Sequence, residues 1–198
     1  MQLYETDELH VCRSLFPESI CLFMYRGVLP VANSVYRMSM VYPSLRLVYV
    51  FGRLSAQISM MLLEVRGLND SDFRVRMDSD LTYGVLQWAQ GVKIFLEMRR
   101  RGFDVSAVRY EDLVARPLDM CRVILEFCRL PVSLAELAVK ALDRDSQGNS
   151  SLAKSNVCHL KAPQLTPRTK AKLNELLKRS GVPLIGEPGI VEGTLGCR

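Results

Sequence analysis

Arg26 and Ser34, eight positions apart, are the residues best placed to do chemistry. They bound the segment Tyr25-Arg26-Gly27-Val28-Leu29-Pro30-Val31-Ala32-Asn33-Ser34. A guanidinium is a planar fork of donors that can hold two phosphate oxygens at once. A serine early in a helix adds one more donor. The helix start itself offers free N–H groups and the positive end of its dipole. Arg26 closes a short apolar run, Ile20–Tyr25, that follows the turn signal Phe16-Pro17-Glu18-Ser19. Such a run reads as a strand covered on both faces, as in a parallel sheet. The carboxyl end of a strand in such a sheet is where ligands bind. Arg26 and Ser34 together could form a corner for a dianionic monophosphate; the alternative is a surface arginine at a strand end and a helix serine with no ligand.

Other chemistry is thinly represented. The two histidines, His10 and His159, and the six cysteines are scattered, with no C-x-x-C pair and no zinc-ligand spacing, so no metal is expected. Cys121 and Cys128 lie seven apart and share one face of a helix, which reads as core rather than as a disulfide.

The elements that must position the corner follow from periodicity. A short helix is expected over Glu8–Leu15. After Arg26-Gly27 a helix starts near Pro30, carries Val31, Ser34, Val35 and Met38, and stops at Pro43. Leu45–Arg66 reads as helix, with Leu54, Ile58, Met61 and Leu62 on one face, and Asn69–Asp80 as a loop. Leu81–Arg101 is the strongest helix, stepping through Val85, Trp88, Ala89, Val92, Phe95 and Leu96 and ending at Gly102. Ser106–Tyr110 reads as a second strand. Helices follow at Pro117–Arg129, Val132–Leu142 and Pro167–Arg179, with a polar loop at Asp145–Asn156 between the last two. Strand, helix, long helix, strand, helix is an α/β order. One domain over residues 1–184 and an irregular tail over 185–198 are expected. Only two good strands are visible, which is few for a doubly wound sheet.

The segment around Arg26 resembles the 3′-phosphate motif of sulfotransferases that use 3′-phosphoadenosine 5′-phosphosulfate. A second segment, Val108-Arg109-Tyr110-Glu111-Asp112-Leu113-Val114-Ala115-Arg116-Pro117, followed by Ile124-Leu125-Glu126-Phe127-Cys128 and Leu130-Pro131, is similar to another stretch of that family. A tryptophan-bearing helix lies between the two, as Leu81–Arg101 does here. The resemblance spans Phe16 to Pro131. It implies a helix-rich α/β fold with a partial P-loop-like parallel sheet. It also implies a 3′-phosphate held by Arg26 and Ser34. The activity it implies is transfer of a sulfuryl group to a hydroxyl or amine acceptor, with adenosine 3′,5′-bisphosphate as the product. The acidic pair Glu111-Asp112 precedes a helix, where negative charge is stabilising, and is read as structural.

The family's phosphosulfate-binding loop has no counterpart here: no G-x-x-x-x-G-K-[ST] and no Pro-Lys-Ser/Thr-Gly-Thr run occurs. The residues present are therefore read as the C-terminal part of a larger fold, with weak or absent transfer on their own. A general P-loop kinase is disfavoured for the same reason. His10, sixteen residues before Arg26, is the candidate base, with Glu5 and Glu8 as rivals. Arg144 and Lys154, flanking or within the polar loop, are the cations that could close over the nucleotide.

The totals fit this reading. The 198 residues are 48% apolar and 24% charged, with 26 basic and 21 acidic side chains for a net charge of +5. That mild excess suits an anionic ligand. Nucleic acid is not an expected partner, since only Arg99–Arg101 and Lys170–Arg179 are locally basic. The alternative function is a non-enzymatic binding protein whose basic C-terminal helix contacts an acidic partner. No secretory signal and no membrane-spanning run are visible. A cytoplasmic protein is expected, or one of the Golgi lumen if an anchor lies upstream of Met1.

Overall fold

The computed structural model describes residues 14–15, 18–42, 80–144, 153–161 and 164–196. Strand β1 spans Cys21–Tyr25 and helix α1 spans Val28–Val41. Helix α2 spans Asp80–Arg100, strand β2 Val105–Arg109, α3 Tyr110–Ala115 and α4 Pro117–Phe127. A 3-10 turn at Val132–Leu134 leads into α5, Ala135–Leu142; α6 is Lys154–Val157 and α7 is Pro167–Arg179. The expected helices over Glu8–Leu15 and Leu45–Arg66 lie largely or wholly outside the described residues, as does most of the loops Asn69–Asp80 and Asp145–Asn156.

The two strands pair in parallel, with Cys21 opposite Val105 and Tyr25 opposite Arg109. Successive residues of a strand point to opposite faces. Accordingly Phe23, Tyr25, Val105 and Ala107 join one core with α1, α2 and α7. Leu22 and Val108 join a second, smaller core with α3, α4 and α5. Helices thus cover both faces of the sheet, the arrangement of an α/β protein. β1 is less enclosed than its apolar sequence implies, because Cys21 is exposed and Met24 is 55% exposed.

Local chemistry sets the boundaries. α1 starts at Val28, two residues before Pro30, so the proline is its third residue rather than its first. Nothing is lost, since the first three N–H groups of a helix have no partner within it. α2 ends in a double reverse bond, Gly102 N–H to the Arg99 carbonyl at 2.9 Å and Phe103 N–H to the Met98 carbonyl at 3.0 Å. The left-handed turn this needs falls on Gly102, at φ +78°. α4 stops at Phe127, short of the expected Arg129, because the same device turns the chain at Arg129 itself, at φ +57°. α1 and α2 cross closely: a methyl on Gly84 would lie 2.6 Å from Ala32 Cα.

Among its described residues the tail has no helix or strand, but it is built into the sheet. Ala107 N–H donates to the Gly193 carbonyl at 3.0 Å and Leu195 N–H to the Ala107 carbonyl at 2.8 Å. β2 therefore lies between β1 on one side and the tail on the other. Val191 and Thr194 are buried there. Among the described residues no helix is long and apolar enough to cross a membrane.

Candidate functional site

The parallel register brings the two sequence motifs together. Because Tyr25 sits opposite Arg109, the residues that follow each strand become neighbours: Arg26 meets Tyr110, and Gly27 meets Glu111. The Arg26 guanidinium lies over the Tyr110 ring, 4.9 Å from its centroid. Its Nε is 3.9 Å from Glu111 Oε1, beyond hydrogen-bond distance, and both side chains are partly exposed. Glu111 Oε1 accepts a hydrogen bond from Gly27 N–H at 2.9 Å, across 84 positions of sequence. Added bulk at Gly27 would be tight on that side, since a methyl there would sit 3.3 Å from the same oxygen. Behind the corner, Trp88 Nε1–H of α2 donates to the Arg26 carbonyl at 2.6 Å.

An open groove of about 320 Å³ runs from the corner along β1 and α2. Phe23, Tyr25, Trp88 and Tyr110 give it aromatic walls, Gly91 opens its floor and Arg26 stands within it. Phe23 is held by stacking on Phe95, with centroids 4.9 Å apart. Tyr25 is fixed at its far end: its hydroxyl is 2.8 Å from Thr194 Oγ1 and accepts from Val191 N–H at 3.1 Å. The tail thus supports the wall of the groove.

The neighbouring arginine is spent on structure. Arg109 donates to both carboxylate oxygens of Asp112, from Nε at 2.9 Å and from Nη2 at 2.7 Å, and through Nη1 to the Pro188 carbonyl. The Asp112 hydrogen bonds raise the guanidinium pKa further above its ordinary range. Asp112 is buried. The Tyr-Glu-Asp-Leu segment is thus an anchor: Asp112 fixes Arg109 and the tail, and Glu111 fixes the Gly27 turn.

Ser34 is the seventh residue of α1, in its second turn rather than its first, and is exposed. At 1.5 Å per residue it stands roughly 10 Å up the axis from Gly27. Ser34 therefore stands away from the helix tip, on the solvent side of the second turn. Arg144 is exposed just past α5, and among the described residues no hydrogen bond or ion pair joins it to the corner. Lys154 opens the four-residue helix α6. His10, Glu5 and Glu8 lie outside the described residues, and His159 is exposed in a turn. Among the described residues no group of His, Cys, Asp or Glu side chains could hold a metal ion. Burial pushes the Cys121 thiol pKa up, in keeping with a core position.

Trp88 and Tyr110 were not singled out as site residues by sequence reasoning, although the signal was there. The chain has a single tryptophan, on the helix between the motifs, and Tyr110 follows Arg109 directly at a strand end. Comparison with models of protein families, with curated proteins and with solved structures finds nothing that matches this chain.

Proposed function

We propose that this protein binds a nucleotide bearing a 3′-phosphate, in the manner of a sulfotransferase, with Arg26 and the Ser34 hydroxyl as the phosphate ligands. One observation carries the reading. Arg26 is a half-exposed guanidinium at the carboxyl end of a parallel strand, beside a helix start, with an aromatic-walled groove next to it. A guanidinium matches a phosphomonoester in geometry and charge, and aromatic walls suit the flat face of a base. The ligand that fits is adenosine 3′,5′-bisphosphate or its phosphosulfate precursor.

Sulfuryl transfer from that precursor would proceed by attack of an acceptor hydroxyl or amine on sulfur. The bond from sulfur to the 5′-phosphate oxygen breaks, adenosine 3′,5′-bisphosphate leaves, and the acceptor proton passes to a base, for which His10 is the candidate. The leaving phosphate needs cationic neutralisation, and the Walker-type run that would supply it does not occur in this sequence. Binding is therefore the property to test first. Calorimetry with adenosine 3′,5′-bisphosphate is expected to give saturable heat that disappears in Arg26→Ala. Absence of heat at millimolar nucleotide, or the same affinity in Arg26→Ala, would sink the reading.

A second reading draws on α7. Its apolar residues Leu173, Leu176 and Leu177 are buried, and Arg168, Lys170, Lys172 and Lys178 are exposed. That cationic face suits an acidic partner. Salt-sensitive binding to nucleic acid, lost when Lys170, Lys172, Lys178 and Arg179 are neutralised, would favour this non-enzymatic role.

A further inference from the structure

Glu111 is an unusual neighbour for an anion site. Its carboxylate already holds the Gly27 N–H at 2.9 Å, one of the few free donors at the turn. Its second oxygen, Oε2, is buried and has no hydrogen-bond partner among the described residues. A carboxylate oxygen kept from water without a donor keeps its negative potential focused nearby. Arg26 is a cation in reach, with its Nε 3.9 Å from Oε1, and Arg109 also lies within range of the carboxylate charge. The Arg26 pair is too long for a hydrogen bond and is half exposed, so it is weak. The Arg26 guanidinium also lies over the Tyr110 ring, 4.9 Å from its centroid.

From this geometry we propose that Glu111 is a positioning residue for Arg26. It fixes the Gly27 turn, holds the guanidinium near Tyr110, and weakens the grip of the corner on a bound anion by its own charge. The inference rests on the reading of Arg26 as the phosphate ligand. Mechanically, the carboxylate stays behind on Gly27 when a phosphate arrives, and Arg26 swings to the ligand. The incoming dianion then binds against a fixed negative charge, which keeps the complex reversible.

Glu111→Gln separates the two roles, because a glutamine oxygen still accepts from Gly27 N–H and carries no charge. Glu111→Ala removes both. The experiment titrates the full chain with adenosine 3′,5′-bisphosphate and with unphosphorylated adenosine. It reads heat and the fluorescence of Trp88, the single tryptophan of the chain, which lines the groove. Glu111→Gln is expected to bind the bisphosphate about two- to fivefold more tightly than the wild type, the size of one partly screened charge contact, and adenosine equally. Glu111→Ala is expected to bind the bisphosphate more weakly than Glu111→Gln, although it has lost the same charge. The gain from Glu111→Gln is expected to shrink in an Arg26→Lys background, which keeps a cation and a measurable affinity but loses the planar fork that Glu111 positions.

A purely structural Glu111 would leave the Glu111→Gln affinity at or below that of the wild type, and that result overturns the proposal. So does an equal gain for unphosphorylated adenosine. The failures are distinguishable. If the wild type binds and Arg26→Ala does not, while Glu111→Gln is unchanged, the phosphate reading survives and the role of Glu111 falls. If neither the wild type nor Glu111→Gln shows saturable binding, both fall.

Discussion

Two arginines stand at the ends of the two paired strands, one register step apart, and they have opposite fates. Arg109 is bound twice by Asp112 and once by the Pro188 carbonyl, with its side chain 19% exposed. Among the described residues Arg26 has one long contact to Glu111 and a ring face beneath it, with its side chain 49% exposed. Residue type and position in the fold are nearly the same, so neither explains the contrast. What differs is unspent bonding capacity. A guanidinium bonded at all three nitrogens holds the protein together, and one whose donors face water can hold something else.

The largest expected effect falls on the engaged arginine. Asp112→Ala leaves Arg109 without its carboxylate in a mostly buried setting and is expected to cost about 3 kcal/mol of stability. Urea denaturation measures it, with a clear fall in the midpoint. If Arg26→Ala proves equally destabilising, the contrast between the two arginines is broken.

Next comes the tail. Tyr25→Phe keeps the ring in the groove wall and removes the hydroxyl that Thr194 and Val191 share. The expected loss is about 1–2 kcal/mol, the usual range for stranded buried hydrogen-bond partners, read as a drop in melting temperature. Faster amide exchange at Ala107, which is bonded to the tail through Gly193, would place the loosening there.

Arg26→Ala is expected to change stability by less than about 0.5 kcal/mol, as an exposed, weakly paired charge should. Loss of nucleotide binding with an unchanged melting curve would sharpen the comparison to a difference of function. The smallest effect concerns pH. Hydrogen bonds from Arg100 and then Arg101 hold the Glu97 carboxyl at a pKa of about 2, below its ordinary 4.5. A depressed carboxyl pKa contributes stability that is present above the unfolded value and lost as pH falls through the folded one. The end of α2 is therefore expected to loosen slightly between about pH 4.5 and pH 2, followed by NMR titration of Glu97. A Glu97 midpoint near 4.5 would remove that expectation.

Much of the frame was legible from periodicity and punctuation. The α2 boundaries differ by one residue from those read from the sequence, because a long apolar stripe and a closing glycine mark them independently. Both strands were found, since each is a short apolar run beside turn signals. The Arg26 corner and the structural part of Glu111-Asp112 were legible as separate motifs. Their union was not, because register is a long-range property that no local pattern states. The tail escaped for a related reason. Its contribution to the sheet is a single bridging residue, Thr194 beside Ala107, with glycines on either side and no alternation to read. The start of α1 was displaced by trusting Pro30 as its first residue, when proline is tolerated at any of the first three.

The 84 positions between Gly27 and Glu111 carry a consequence for assembly of the molecule. α1 and α2 form from contacts a few residues apart, whereas the corner exists only once the whole intervening chain has brought two distant strand ends into register. Long-range closure is the slow, entropically costly step in folding. Competence to bind is therefore expected to arrive late in refolding and to leave early under stress. In a stopped-flow experiment, helical circular dichroism should recover before the Trp88 signal becomes responsive to nucleotide; simultaneous recovery would show the corner forming together with the helices that flank it.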